Sequence, residues 1–336
     1  MRRREFLSTA IGMAVAQSGA FAGVHSGKEA GRPAISPALA AESHDLFGRQ
    51  SKVRPMELGM VIAPDFGDPE NAIARVKELG MSNCFLSLDD WIGRFSAAGA
   101  QQLNALLDKY GVTPTSVEVV GPGRLVWDFA EGPSTIGLVP RGTRAARMDA
   151  LKQASDFAMR LGVPRVQTHC GFIPENPADA LYIEAVAAIR EVAIYCAANG
   201  QDFVMETGQE TPTTLKREII DVGQPNLGVG LDTANLILYG KANPVDAVEI
   251  IGKYVKSVHA KDGMWPTDPM RLGEEVLIGT GRVDFLKVFT ALDRLGYKGA
   301  ITIERETSGP QQIEDVRREK VYLEGILARV RASHTG

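Results

Sequence analysis

Four strand-like runs in the second half of the chain each end in a side chain that can bind a hard metal ion. Phe203-Val204-Met205 leads into Glu206, Leu227-Gly228-Val229-Gly230-Leu231 into Asp232, Val255-Lys256-Ser257-Val258 into His259, and Ala300-Ile301-Thr302-Ile303 into Glu304. Any one of these acids alone reads as a helix N-cap or a surface charge. Capping needs at most one acid per loop, however, and does not account for a ligand type after four successive strands. Three carboxylates and one imidazole suit Mn²⁺ or Mg²⁺ better than a structural zinc, which favours thiolate and imidazole in a closed tetrahedron. The expected cofactor is one divalent ion in a catalytic role, Mn²⁺ foremost, with Mg²⁺, Co²⁺ and Zn²⁺ as alternatives.

The four ends converge only if the strands are parallel neighbours whose C-terminal ends share one face of a barrel. Strand and helix patterns alternate from residue 56 onward, as a parallel sheet with outer helices requires. Strands at 57–62, 83–88, 114–120 and 165–168 precede the four that carry ligands. The helices fall at 69–79 with Asp68 as N-cap, 98–110 with Gly111 as stop, 143–161, 177–198, 212–221, 244–251, 284–295 with Asp284 as N-cap, and 311–330. Eight such pairs over about 280 residues predict a (β/α)8 TIM barrel. An open doubly wound sheet would need a Gly-rich turn after the first strand, where the chain has Ala63-Pro64-Asp65-Phe66. Gly279-Thr280-Gly281 reads as a turn into the next helix, and neither a Walker pattern nor a serine elbow occurs.

Residues 1–22 read as a twin-arginine export signal: Arg3-Arg4-Glu5-Phe6-Leu7, an apolar run from Ala10 to Ala16, and the small-residue site Ala20-Phe21-Ala22. The expected destination is the periplasm. Residues 23–55 read as a Gly/Ala/Ser/Pro-rich linker carrying His25 and His44, and residues 56–336 as a single catalytic barrel. The apolar run is too short for a stable membrane span. A net charge of -4, with no basic block beyond the first residues, argues against nucleic acid as partner. Cys84, Cys170 and Cys196 cannot all pair and lie in strand-like or helix-like runs, which predicts buried free thiols.

Met205-Glu206-Thr207-Gly208-Gln209-Glu210, Gly230-Leu231-Asp232-Thr233-Ala234-Asn235, Val258-His259-Ala260-Lys261-Asp262, Gly279-Thr280-Gly281-Arg282-Val283-Asp284-Phe285 and Ile303-Glu304 resemble motifs of the xylose isomerase-like TIM barrels. Within that superfamily they are most similar to the sugar phosphate isomerase/epimerase group. The resemblance spans everything after the linker. It implies a metal held by Glu206, Asp232, His259 and Glu304, with the two glutamates doubling as the acid and base that move a proton next to a carbonyl. An enediolate stabilised by the ion fits that chemistry. Asp232 and His259 would then be ligands alone, and the order of the glutamates would depend on the epimer bound.

The chain departs from the ketose epimerase pattern at Asn235, where those enzymes carry a second histidine, and near Trp265, where they carry an arginine. These departures bear on which sugar is bound. His169, at the end of the fourth strand, reads either as a contact to a substrate hydroxyl or as a core histidine. Lys261 either pairs with Asp262 or reaches a substrate oxygen, and Trp127 and Trp265 are either a stacking platform or packing. The long connection 121–142, with Trp127, Phe129 and Arg141, reads as a substrate-covering flap or as an inconsequential insertion.

The leading expectation is a metal-dependent isomerase or epimerase of a small sugar or sugar derivative. A lyase that eliminates across an oxidised glycoside is the alternative, since it uses the same ion and base. A periplasmic sugar-binding protein and an abasic-site endonuclease rank below these; the endonuclease would need more histidines than the barrel supplies. Association of barrels through their outer helices is left open.

Overall fold

A computed structural model describes residues 48–332. The expected signal at 1–22 and the expected linker as far as residue 47, with His25 and His44, lie outside the described residues. The remainder of that linker includes a 3-10 turn, Gly48–Lys52, whose Gln50 donates to Pro114 O at 2.6 Å.

The strands are β1 (Leu58–Ile62), β2 (Asn83–Ser87), β3 (Thr113–Glu118), β4 (Arg165–Thr168), β5 (Asp202–Glu206), β6 (Leu227–Asp232), β7 (Val255–Ala260), β8 (Asp262–Gly263), β9 (Glu275–Val276) and β10 (Ile301–Ile303). Eight of them close into a barrel in the order β1-β10-β7-β6-β5-β4-β3-β2, every neighbour parallel. This is the TIM barrel that the alternation predicts. The sequence pattern does not foresee β8 and β9, which pair antiparallel as a short ribbon in the connection after β7.

Strands covered on both faces are apolar along most of their length, and β6 is buried at all six positions. Its glycines are steric. A Cβ on Gly230 would lie 2.5 Å from Gln167 Oε1, so the missing side chain lets Gln167 of β4 cross the barrel interior toward β5 and β7.

The helices are α1 (Glu70–Glu78), α2 (Ala97–Tyr110), α3 (Gly132–Thr135), α4 (Arg141–Leu161), α5 (Ala180–Ala198), α6 (Pro212–Val222), α7 (Asn235–Leu238), α8 (Pro244–Ile251), α9 (Phe285–Arg294) and α10 (Gly309–Ala332). Asp284 caps α9 through the Lys287 N–H, and Gly111 closes α2 in the left-handed region.

Several boundaries move for identifiable reasons. Asp68 does not cap α1; it accepts from the Asn71 side chain, and Pro69 occupies the cap position. Asp179 accepts the Leu181 N–H, so α5 begins at Ala180 and leaves Pro177 outside. The Pro140 carbonyl accepts the Thr143 and Arg144 N–H groups, which starts α4 at Arg141. Asp89 Oδ1 takes the N–H groups of Val120 and Gly121 at 2.8 and 2.9 Å, ending β3 at Glu118 instead of Val120.

The connection after β3 is built around Arg147 of α4. This side chain is 1% exposed and donates to the carbonyls of Gly137 (2.8 Å), Thr135 (2.6 Å), Pro122 (3.2 Å) and Arg124 (3.3 Å). A buried guanidinium satisfied by backbone makes the segment a fixed cover. All three cysteines are buried and free. No described helix is long and apolar enough to cross a membrane.

Candidate active site and metal centre

The strand ends bring Glu206, Asp232, His259 and Glu304 into one cluster, with one ligand atom from each lying within 4.8 Å of all the others. The parallel register pairs Asp232 of β6 with His259 of β7, and His259 with Thr302 of β10, two residues before Glu304. His259 Nδ1 stands 3.2 Å from Glu206 Oε1 and 3.0 Å from Glu304 Oε2. The second contact lies within ion-pair distance but off the hydrogen-bonding line.

Three atoms of the cluster, Asp232 Oδ2, His259 Nε2 and Glu304 Oε2, are buried without a hydrogen-bond partner. Orphaned polar atoms at this depth are costly unless something compensates them. Burial lifts the Asp232 carboxyl well above its usual range, Lys261 opposing and Glu304 and Glu206 adding to the rise. Burial would lift Glu206 as well, but the charges of His169 and His259 hold it well below the ordinary carboxylate range. Against the same burial, Lys261 and His259 hold Glu304 down at about 2. A hard divalent ion would satisfy the orphaned oxygens and relieve the crowding of three acids, so the residues fit the expected cofactor.

Hydrogen bonds orient the cluster's carboxylates from behind. Asp232 Oδ1 accepts the N–H groups of Ala234 and Asn235 at 2.8 and 2.7 Å, leaving Oδ2 directed at the cluster. Gln167 Nε2 donates to Glu206 Oε2 at 2.8 Å, and Asn235 Nδ2 reaches Glu206 Oε1 at 3.3 Å.

Lys261 is 1% exposed and pairs with Glu306, with Asp232 Oδ2 and Glu304 Oε2 each 3.9 Å from Nζ. It does not pair with Asp262. That carboxylate instead accepts four backbone N–H groups, from Gly263, Gly279, Gly281 and Val283. A Cβ on Gly281 would meet Asp262 Oδ1 at 2.2 Å, so the Gly279-Thr280-Gly281 turn is a cradle for the chain's own acid.

Above the cluster opens a cavity of about 280 Å³. His169 and Asn235 line it, and Trp127 of the connection after β3 reaches it with its ring edge-on to His169 at 4.9 Å. His169 Nε2 is 3.5 Å from Glu206 Oε2, while Gln209 Nε2 approaches its Nδ1 at 3.1 Å. Three of the sequence candidates do not line the cavity, Lys261 being engaged by Glu306 and the acids of the cluster, and Arg141 and Trp265 lying elsewhere. Arg141 sits at the exposed start of α4 with its guanidinium paired to Glu184 of α5. Trp265 is 40% exposed in the connection after β8.

Sequence reasoning overlooks Glu118, Gln167, Tyr239 and Glu306. Glu118 ends β3 with Oε1 buried and unpartnered, its carboxylate within 4.8 Å of ligand atoms from His169 and Glu206. The available signal is an acid between Val117 and Val119 in a strand-like run with no other charge.

A closed parallel barrel with three carboxylates and an imidazole clustered at the C-terminal ends of its strands is a TIM barrel with a candidate metal site on the face where such barrels place their active sites. Residues 73–328 match the family profile of the xylose isomerase-like TIM barrels, and the chain belongs to that family. A crystal structure of a xylose isomerase domain protein from Planctomyces limnophilus is 32% identical, with a TM-score of 0.78 over 83% of this chain and 99% of that one. The 2-epi-5-epi-valiolone 7-phosphate 2-epimerase of Actinoplanes sp. is 25% identical over 274 residues, 74% of this chain and 92% of that protein. D-psicose 3-epimerase shares the fold with a TM-score of 0.61 at 17% identity, over 81% of this chain and 99% of that one. The chain spans 63% of the length of a Methanocaldococcus jannaschii protein to which it is 26% identical over 199 residues. Carbohydrate epimerases thus stand among its relatives and structural neighbours.

Proposed function

We propose that the protein is a metal-dependent isomerase or epimerase of a sugar or sugar derivative, working through an enediolate formed next to a carbonyl. The observation that carries this reading is the position of Glu206 and Glu304, two carboxylates that approach one imidazole nitrogen, His259 Nδ1, at 3.2 and 3.0 Å. Both carboxylates therefore face one small volume from different strands. A divalent ion held by Glu206, Asp232, His259 and Glu304 would supply Lewis-acid stabilisation of the negative charge that develops when a proton leaves carbon.

Glu206 and Glu304 exchange that proton between them and the substrate. One removes it from one side of the carbon and the other returns a proton from the other side, which inverts the centre; return to the neighbouring carbon isomerises the sugar. Asp232 and His259 hold position and take no part in the proton transfer. Gln167 and Asn235 fix Glu206, and Trp127, from the ordered cover, limits water at the cavity mouth. The relationship to a cyclitol phosphate epimerase supports the carbohydrate class.

The test is elemental analysis of the purified protein together with deuterium uptake from D₂O into a panel of keto-sugars. About one divalent ion per chain is expected, with label appearing beside the carbonyl. Glu206→Gln and Glu304→Gln should each lower exchange by about 10²-fold or more, the scale of a lost general acid or base. The product separates epimerisation from elimination, and a chain with neither metal nor exchange would overturn the proposal.

A further inference from the structure

One buried ammonium is contested by two sets of acids. Lys261 Nζ stands 3.9 Å from both Asp232 Oδ2 and Glu304 Oε2, and pairs closely with the Glu306 carboxylate. Asn235 Oδ1 accepts from it at 3.4 Å. Neither cluster oxygen gains a hydrogen bond from the lysine; both are buried without a partner. A shift of the ammonium by about 1 Å would close both gaps to the ~2.8 Å of a charge-assisted bond. The lysine would then neutralise the two oxygens that a divalent ion needs.

Glu306 is what the lysine holds to instead, and a largely buried ionic network seats it. Glu304 and Glu306 both line the cavity, while Arg305 between them does not. The Arg305 guanidinium reaches Glu275 Oε1 at 3.0 Å and Asp315 Oδ2 at 2.9 Å. The Glu275 carboxylate in turn accepts the Glu306 N–H, at 3.1 and 3.3 Å from its two oxygens. Glu275 lies on β9, and its register partner on β8, Gly263, comes two residues after Lys261. A closed ring therefore runs from Arg305 through Glu275 and the ribbon to Lys261, and back through Glu306. Without it the Glu306 side chain, 59% exposed, would make the kind of surface ion pair that restrains little.

We infer that Glu306, seated by Glu275 and Arg305, restrains the Lys261 ammonium and so keeps Asp232 and Glu304 available to a metal ion. Glu306 acts through Lys261 and is a positioning residue. The inference rests on the metal-site reading above. It adds an internal competitor for the ion's place and the device that holds that competitor off.

Calorimetric titration of the full chain with Mn²⁺ tests this in wild type, Glu306→Gln, Lys261→Met and the double variant. A neutral amide holds an ammonium less strongly than a carboxylate does, so in Glu306→Gln the lysine should settle on the cluster. If the open arrangement falls to about a tenth of the molecules, the apparent Kd for Mn²⁺ rises about tenfold. Lys261→Met removes the competitor, so adding Glu306→Gln to it should change Kd by less than about twofold, a non-additivity that marks coupled residues. The metal-free Tm of Glu306→Gln should be no lower than that of wild type, because its lysine exchanges one acid for two; a residue that merely stiffened the loop would lower it. Equal Mn²⁺ affinity in wild type and Glu306→Gln would overturn the inference. So would the same loss of affinity in the Lys261→Met background, or a loss accompanied by a lower metal-free Tm. The Glu306→Gln comparison decides the matter even if Lys261→Met does not fold. Wild type that takes up no Mn²⁺ overturns the metal-site reading and this inference with it, whereas wild-type binding with an unaffected Glu306→Gln overturns this inference alone.

Discussion

Gln167 Nε2 donates to Glu206 Oε2 across 2.8 Å, from one barrel strand to the next. Ser257 Oγ donates to Gln167 Oε1 at 2.6 Å, so the amide is fixed at both ends and can point only its NH₂ group at the glutamate. Gln167 is fully buried, and its place in the barrel exists because Gly230 has no side chain.

Gln167→Leu should therefore loosen Glu206 without removing it. Groups one step behind a ligand are worth about 10–100-fold in metal affinity. Metal titration should show a loss of that size, and deuterium exchange at saturating metal should show a lower kcat with a nearly unchanged KM. Exchange equal to wild type would show that Glu206 is held by His259 and Asn235 alone.

Lys261→Met addresses the charge balance. The ammonium lies 3.9 Å from both Asp232 Oδ2 and Glu304 Oε2, and these acids hold its pKa well above the usual lysine value against the effect of burial. Removing one partner of a buried ionic cluster costs about 3–5 kcal/mol. The metal-free variant should melt well below metal-free wild type. Mn²⁺ should recover more of that loss than it gives wild type, because an ion replaces a missing positive charge. Equal metal-induced shifts in the two proteins would separate Lys261 from the centre.

Asp232→Asn makes the opposite case. Asn can keep the Oδ1 bonds to Ala234 and Asn235 while replacing the orphaned Oδ2 and its charge with a donor. Chelated wild type crowds three carboxylates, so the chelated variant should be at least as stable. Added Mn²⁺ should leave its Tm unmoved, whereas at a thousand times Kd it should stabilise wild type by about 4 kcal/mol. Thermal melts with and without chelator read both effects.

The clustering of Glu206, Asp232, His259 and Glu304 was legible in the sequence because each follows a strand, and a closed parallel barrel brings strand ends together whatever their loops do. Glu118 was not, because a strand read through to Val120 places it in the interior; the strand ends at Glu118 since Asp89, from the segment after β2, captures the N–H groups of Val120 and Gly121. Arg141 was overvalued for a related reason. Its partner Glu184 lies on another helix, and composition cannot show that the guanidinium is already engaged. Local pattern fixes which strands exist and where a ligand follows one. Long-range polar pairing, as with Gln167 across Gly230 or Arg147 under its connection, has no periodic signature.

Glu210, four residues beyond Glu206, provides a pH signature separate from the ligands. Burial pushes its carboxyl up to about 8 from an ordinary 4.5, with Lys241 opposing and Glu175 adding to the rise. The folded state thus keeps a proton that the unfolded chain releases near 4.5. Its contribution to stability is complete below that value and declines as pH rises toward 8. Glu210→Gln should remove the decline: its Tm should match wild type near pH 4.5 and exceed it at pH 8.5, by an amount on the order of a few kcal/mol in stability. Glu304 acts in another window and with the opposite sign. Its folded value of about 2 gives stability that is present above 4.5 and lost as acid approaches 2. Melting both proteins in chelator from pH 4 to pH 9 isolates the Glu210 effect as their difference, and a difference that does not grow with pH would show that Glu210 is ionised in the fold.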